Sequence, residues 1–237
     1  MTPTLHVHPT ADLAERVLLP GDPGRALLLA QELLEQPRMF NHNRGLWGYT
    51  GTAADGGLLT IQSTGVGGPS AAIVIEELVR LGARRLVRVG TCGALVGGFA
   101  LGDTLVAREA ICNDGTSRAL GAGERAPADA ALTAALETAA EREAGRGARA
   151  GAVVTTDLFY DADGQHADPE PDPAQPALAI EMESATLFRL ATLRGVRAGC
   201  VLAVSDLLGP ARGRIDQETY EVAATRIGRI AAAALSA

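Results

Sequence analysis

The chain has 237 residues, 47% of them hydrophobic and 21% charged, and a formal net charge of −7. That length and apolar content suit a single α/β domain over residues 1–237 with a sizeable core, while the acidic balance speaks against binding nucleic acid or an anionic membrane, either of which calls for a basic face. All 21 cationic side chains are arginine, so an anionic ligand has to be held by a local arginine cluster, and a lysine-dependent phosphate loop is excluded.

Cys92, Cys112 and Cys200 lie far apart, with no C-x-x-C pair and no histidine at metal spacing. They read as reduced core thiols, and neither a metal nor an organic cofactor is expected. The start, MTPTLHVHPTADLAER, lacks a basic segment followed by an apolar one, and no stretch approaches the length of a membrane span; the expectation is a cytoplasmic protein.

In chain order, residues 17–19 read as a buried strand that passes through Gly21-Asp22-Pro23-Gly24 into a helix over 26–34, with Arg25 at its mouth. Such a turn points backbone N–H groups beyond the strand end, an anion site in outline. Residues 46–52 and 58–63 read as a hairpin turning at Asp55-Gly56-Gly57, and 71–81 as a helix packed on a sheet. RRLVRVGTCGAL is a strand ending near Gly90, residues 103–110 a strand, 129–143 a helix and 150–155 a strand. Residues 161–176, rich in Pro and Asp, read as a surface loop. A short strand at 178–180 runs into the helix MESATLFRLATLRG, 201–205 is a last buried strand, and GPARGR a mobile loop. The closing helix over 217–235 carries Val222, Ile227, Ile230 and Ala234 on one face.

Strands separated by helices imply a mostly parallel or mixed sheet covered on both faces, with ligands beyond the carboxyl ends of the strands. There the chain places Gly21-Asp22 with Arg25, Thr64 to Gly68, Arg88-Val89-Gly90-Thr91, Glu181-Met182-Glu183 and Ser205-Asp206. STGVGGPS does not complete a dinucleotide fingerprint: Ser70 occupies the sixth position of the pattern and Pro69 opens the helix.

PGDPGR, NRGLWGYTG, GVGGPS, RVGTCGAL, IEMESATLF and AVSD, in this order and at these separations, resemble the nucleoside phosphorylase family, which includes bacterial hexameric purine nucleoside phosphorylases, uridine phosphorylases and archaeal methylthioadenosine phosphorylases. The resemblance covers about residues 15–110 and 150–236. It implies a central mixed β-sheet, partly closed, flanked by helices on both faces. It also implies replacement of a nucleobase on C1′ of ribose by inorganic phosphate, the co-substrate, through a transition state with oxocarbenium character.

Carried over position by position, the resemblance puts phosphate among Gly21, Arg25, Arg88, Val89, Gly90 and Thr91, with Arg44 reaching in from a neighbouring subunit. Three arginines falling by chance on three matched positions is an event of less than about one in a thousand at this composition. Glu183 would accept from the ribose 2′ and 3′ hydroxyls, Met182 pack on the sugar and Glu181 support the clamp. Asp206 would protonate or hydrogen-bond the departing base, a role that needs a carboxyl group held by burial or a neighbour, with Ser205 orienting it and Phe159 against the base.

Two departures bear on detail. The histidine that relatives bring to the 5′ hydroxyl from the adjacent subunit is matched by His6, with His8 a rival, and Asp216 stands where hexameric purine enzymes carry an arginine that assists the catalytic acid, so Arg212 or Arg214 would have to substitute. The uracil-binding Gln-Arg segment of uridine phosphorylases is matched only by Gln165, with His166-Ala167 in place of the Arg. A purine is favoured, uridine is the alternative, and a hydrolase or a nucleoside-binding protein without catalysis are further readings. If Arg44 acts across an interface, the working unit is at least a homodimer, and the family suggests a trimer of dimers.

Overall fold

The computed structural model describes residues 4–144, 148–164, 176–209 and 212–236. The first strand, β1 (Arg16–Leu19), is wholly buried and leads through Gly21 into α1 (Pro23–Leu33). Asp22 caps that helix, its carboxylate accepting from Gly24 N at 2.9 Å and Arg25 N at 3.1 Å, and Pro23 opens it. The capping carboxylate thus takes two of the turn's N–H groups, those of Gly24 and Arg25, which are not left for a ligand.

The strands that follow are β2 (Glu35–Asn41), β3 (Gly48–Thr52) and β4 (Leu58–Gln62), then α2 (Gly68–Leu81), β5 (Arg85–Ala94), β6 (Thr104–Asn113), the short α3 (Gly115–Ala119) and β7 (Arg125–Pro127). After α4 (Ala130–Ala144) come β8 (Ala148–Thr156), β9 (Ala179–Glu181), α5 (Ser184–Arg194), β10 (Arg197–Leu207), β11 (Gly213–Arg214) and α6 (Gln217–Ser236). All these strands join one mixed sheet in the order β11-β10-β6-β8-β9-β5-β1-β4-β3-β2, with β7 on β6. Because β10 also pairs β5, strands β5, β10, β6, β8 and β9 close into a five-stranded barrel, and the rest of the sheet runs out from it as an open wing.

Two apolar clusters lie on the two faces of this sheet. One gathers Val74, Leu78, Leu187 and Phe188 of α2 and α5; the other gathers Leu29, Leu136, Ile227 and Ile230 of α1, α4 and α6. Along α6 the buried stripe runs Ala223, Ile227, Ile230, Ala234, and Val222, expected on that face, is 63% exposed because it sits one position off the stripe. The strand expected to end near Gly90 continues to Ala94, since β10 keeps pairing with it there. No helix among the described residues is long and apolar enough to cross a membrane.

The segment before β1 is pinned to α2 by one buried side chain. Glu77 accepts backbone N–H groups from Leu5, His6 and Val7 at 2.7–3.2 Å, and His6 Nδ1 lies 2.9 Å from its Oε1. Asn43 Nδ2 donates to His6 O at 2.9 Å, which ties this segment to the turn carrying Arg44. Burial alone raises the carboxyl's pKa, but the hydrogen bonds from the His6 ring and from the backbone of Val7, His6 and Leu5 outweigh it and bring the value from 4.5 down to about 2. Between about 2 and 4.5 the unfolded chain thus binds more protons at this group, so its contribution to stability is full above 4.5 and is lost as the pH falls toward about 2. Comparing urea unfolding of wild type and Glu77→Gln between pH 6 and about 3, the stability gap is expected to shrink on acidification; a gap that stays constant or widens contradicts the assignment.

Candidate active site

The carboxyl ends of β1, β5, β9 and β10 open on a cavity of about 690 Å³. At one end of it stands Arg88, on β5 and nearly inaccessible to solvent. Arg88 Nε lies 2.9 Å from Glu181 Oε2 and Nη2 lies 2.6 Å from Glu183 Oε2. Gly90, two residues along the same face, makes room for the guanidinium: a Cβ there would stand 2.7 Å from Arg88 Cζ. Burial disfavours the charge on Arg88, but Glu183 and Glu181 outweigh it, and the group is held above its ordinary value. Glu183 is pushed up by burial, which Arg88 only partly opposes.

Glu181 is the organiser of this triad. Besides Arg88 it accepts from Glu183 N at 2.9 Å, from Ser184 N at 2.9 Å and from the Thr155 hydroxyl. The turn between β9 and α5 is therefore folded around a carboxylate, and Glu183, next on the same turn, is aimed at the cavity with its Oε1 accepting from Gly67 N at 2.5 Å. Gly67 holds φ +83°, a left-handed conformation that glycine adopts without strain.

Arg25 enters from α1. Its Nη1 donates to Val89 O at 3.0 Å and its Nε to the Tyr220 hydroxyl at 2.9 Å, with the Tyr220 ring centroid 5.4 Å from Cζ. Val89 thus meets Arg25 through its carbonyl, while Gly21 and Thr91 line the cavity.

At the opposite end β10 carries a bulge: its pairing with β5 slips between Val204 and Asp206, leaving Ser205 as the extra residue. That kink turns Asp206 into the cavity. Ser205 Oγ donates to Asp206 Oδ2 at 2.7 Å and reaches Cys92 O at 3.3 Å. Arg214, paired opposite Asp206 on β11, brings Nε to 3.8 Å from Asp206 Oδ1. Met182 and Phe159 line the wall between the two ends, Phe159 being 41% exposed at the lip. Asp216 also lines the cavity but is engaged as the cap of α6, accepting from Thr219 N at 2.8 Å.

The structure therefore gathers Gly21, Arg25, Arg88, Thr91, Phe159, Glu181, Met182, Glu183, Ser205 and Asp206 in one cavity. Arg44 and His6 are not in it; Arg44 is exposed on the turn Asn43–Gly45, at φ 59°, beside the His6 segment. Gln165, His166, Ala167 and, in the GPARGR stretch, Pro210 and Ala211 lie outside the described residues. Tyr220 and Thr155 carry no signal in the sequence, and Gly67, placed at the strand ends by its motif, has no partner named there: each acts on a residue distant in the chain.

Removing Glu181 leaves Arg88 with one carboxylate and strips the β9–α5 turn of its acceptor. Glu181→Ala is expected to lose about 3 kcal/mol of stability or more, read as a lower urea midpoint. A loss below about 1 kcal/mol, the size of an exposed ion pair, contradicts a buried triad.

Residues 15–236 match the Phosphorylase superfamily. The chain is 39% identical over 200 residues to the DeoD-type purine nucleoside phosphorylase of Oceanobacillus iheyensis, a match covering 82% of this chain and 83% of that protein. It is 40% identical over 208 residues to the uridine phosphorylase of Treponema pallidum, covering 82% and 78%. With the guanosine phosphorylase of Halorubrum lacusprofundi it shares 38% identity over 195 residues, covering 81% and 78%. With its partly closed sheet, its cavity at the strand ends and a match that takes in nearly the whole chain, this protein belongs to the phosphorylase superfamily.

Proposed function

We propose that the chain catalyses the reversible phosphorolysis of ribonucleosides, purine nucleosides by preference, giving free base and ribose 1-phosphate. The observation that carries this reading is the gathering in one cavity of Arg25 and Arg88, of Met182 and Glu183, and of Asp206 with Ser205 and Arg214, with Asp206 several residues farther along the paired strands β5 and β10 than Arg88. An oxygen of inorganic phosphate, held by the arginines with Gly21 and Thr91, forms the bond to C1′ as the C1′–N bond breaks. The bonding pair leaves with the base, and Asp206 hydrogen-bonds or protonates it. Glu183, accepting from the ribose diol, stabilises the positive charge that grows on the ring. Inorganic phosphate is the co-substrate, and no other cofactor is required.

Arg214 takes the supporting place beside Asp206, since Asp216 is committed to capping α6. Among the described residues three arginines and five carboxylates line the cavity of one chain, an unfavourable balance for a dianion. Arg44 of a second copy offsets it, and His6, tied to the same surface by Asn43, serves the 5′ end of the sugar. The working unit is thus at least a homodimer, a trimer of dimers in the fuller reading, acting in the cytoplasm. The O. iheyensis purine nucleoside phosphorylase and the H. lacusprofundi guanosine phosphorylase support a purine; the T. pallidum uridine phosphorylase keeps uridine as the second reading, with Gln165 as its candidate base ligand.

The test follows purified protein with inosine, adenosine, guanosine, methylthioadenosine and uridine, each with and without phosphate, scoring base and ribose 1-phosphate by chromatography. Phosphate-dependent cleavage of the purine nucleosides is expected. Arg25→Ala is the cleaner of the arginine variants because Arg25 touches a hydroxyl and a carbonyl, so no buried carboxylate is left unpaired; its phosphate KM should rise by more than about tenfold. Release of base without phosphate contradicts the proposal, and cleavage of uridine alone moves the base site to the Gln165 segment.

A further inference from the structure

Tyr220 has no counterpart among the residues assigned above, yet it stands at the anion end of the cavity. It lies in the first turns of α6, lines the cavity and accepts the Nε–H of Arg25 through its hydroxyl at 2.9 Å. A phenolic hydroxyl accepts and donates. Among the described residues its own proton meets no acceptor, so the hydroxyl, half-buried at the cavity wall, is available to donate to a ligand there. We infer that Tyr220 is a further ligand of the bound phosphate, donating its hydroxyl proton to the oxygen that Arg25 holds; this rests on the phosphorylase reading above.

The planar guanidinium decides where that oxygen sits. Nε–H and one N–H of Nη2 point side by side along the same edge of the fork, and Nη1 is engaged on the other side by Val89 O at 3.0 Å. With Nε–H spent on Tyr220, an anion on this edge is reached from Nη2, and an oxygen accepting from Nη2 lies beside the Tyr220 hydroxyl. The aromatic ring, 5.4 Å from Arg25 Cζ, adds a cation–π contact that keeps the side chain in place. The tyrosine thus does two things with one atom: it orients Arg25 and adds a neutral donor where the cavity is already crowded with carboxylates. A neutral donor strengthens anion binding without a further charge to bury.

The test is Tyr220→Phe, which keeps the ring over the guanidinium and removes only the hydroxyl. The readouts are steady-state kinetics with phosphate varied at saturating nucleoside, and calorimetric titration with inorganic phosphate alone. The expected result is a phosphate KM and dissociation constant raised about tenfold, the loss that follows removal of a hydrogen bond to a charged group, with kcat and the nucleoside KM within about twofold of wild type. A merely structural tyrosine would lower kcat or thermal stability and leave phosphate affinity alone, and that outcome overturns the inference while the phosphorylase reading stands. A wild-type protein whose turnover ignores phosphate overturns both.

Discussion

A buried arginine held between two carboxylates is the constraint on which the rest of this molecule depends. Taking three charges out of water is costly, and Arg88, Glu181 and Glu183 tolerate it because nearly every polar atom is engaged: Nε and Nη2 of Arg88 by the two carboxylates, Glu181 by Thr155 and two backbone N–H groups, Glu183 by Gly67. The partners come from four segments of the chain. Strand β5 supplies the arginine, β8 the threonine, the β9–α5 turn both carboxylates, and the glycine loop before α2 the last N–H. The triad therefore fixes where four segments meet, and that meeting point is the cavity.

Glu183, pushed upward by burial, has its charge neutralised by Arg88. An anion that engages Arg88 competes for the same donors and leaves the carboxylate to accept from sugar hydroxyls instead. In the proposed reaction the phosphate and ribose sites are thus linked through one guanidinium. Arg25 differs: its partners are a phenol and a carbonyl, so its charge is not cancelled within the chain and it can supply net attraction for the dianion. The far end of the cavity is set by the bulge at Ser205, which breaks the β5–β10 register where the barrel closes and delivers Asp206 with its serine and Arg214 partners.

Much of this was legible in the sequence. Apolar runs announced β1, β5 and β10, the first two with glycines at their ends, and the motifs at those ends named the residues that gather in the cavity. What escaped notice has physical reasons. Strand β2 is mostly solvent-exposed, contains Pro37 and holds Gln36 at φ +48°, so neither hydrophobic alternation nor β propensity marks it; pairing with β3 makes it a strand. Strands β7 and β11 are three and two residues long and exist only through their neighbours β6 and β10. Val89 and Gly90 were read as phosphate ligands from their motif, whereas their visible contacts are a carbonyl on Arg25 and room for Arg88. Tyr220 carries no signal of its own in the sequence, because its partner is a side chain 195 residues away in the chain.

The most direct measurement of the central claim is a crystal structure of the protein with inorganic phosphate and an unreactive nucleoside whose sugar is joined to the base through carbon. The account predicts phosphate oxygens about 3 Å from Arg25 and Arg88, ribose hydroxyls on Glu183 in place of its full pairing with Arg88, and the base against Asp206. An anion bound elsewhere, or a sugar that leaves the Arg88–Glu183 pair untouched, would contradict it.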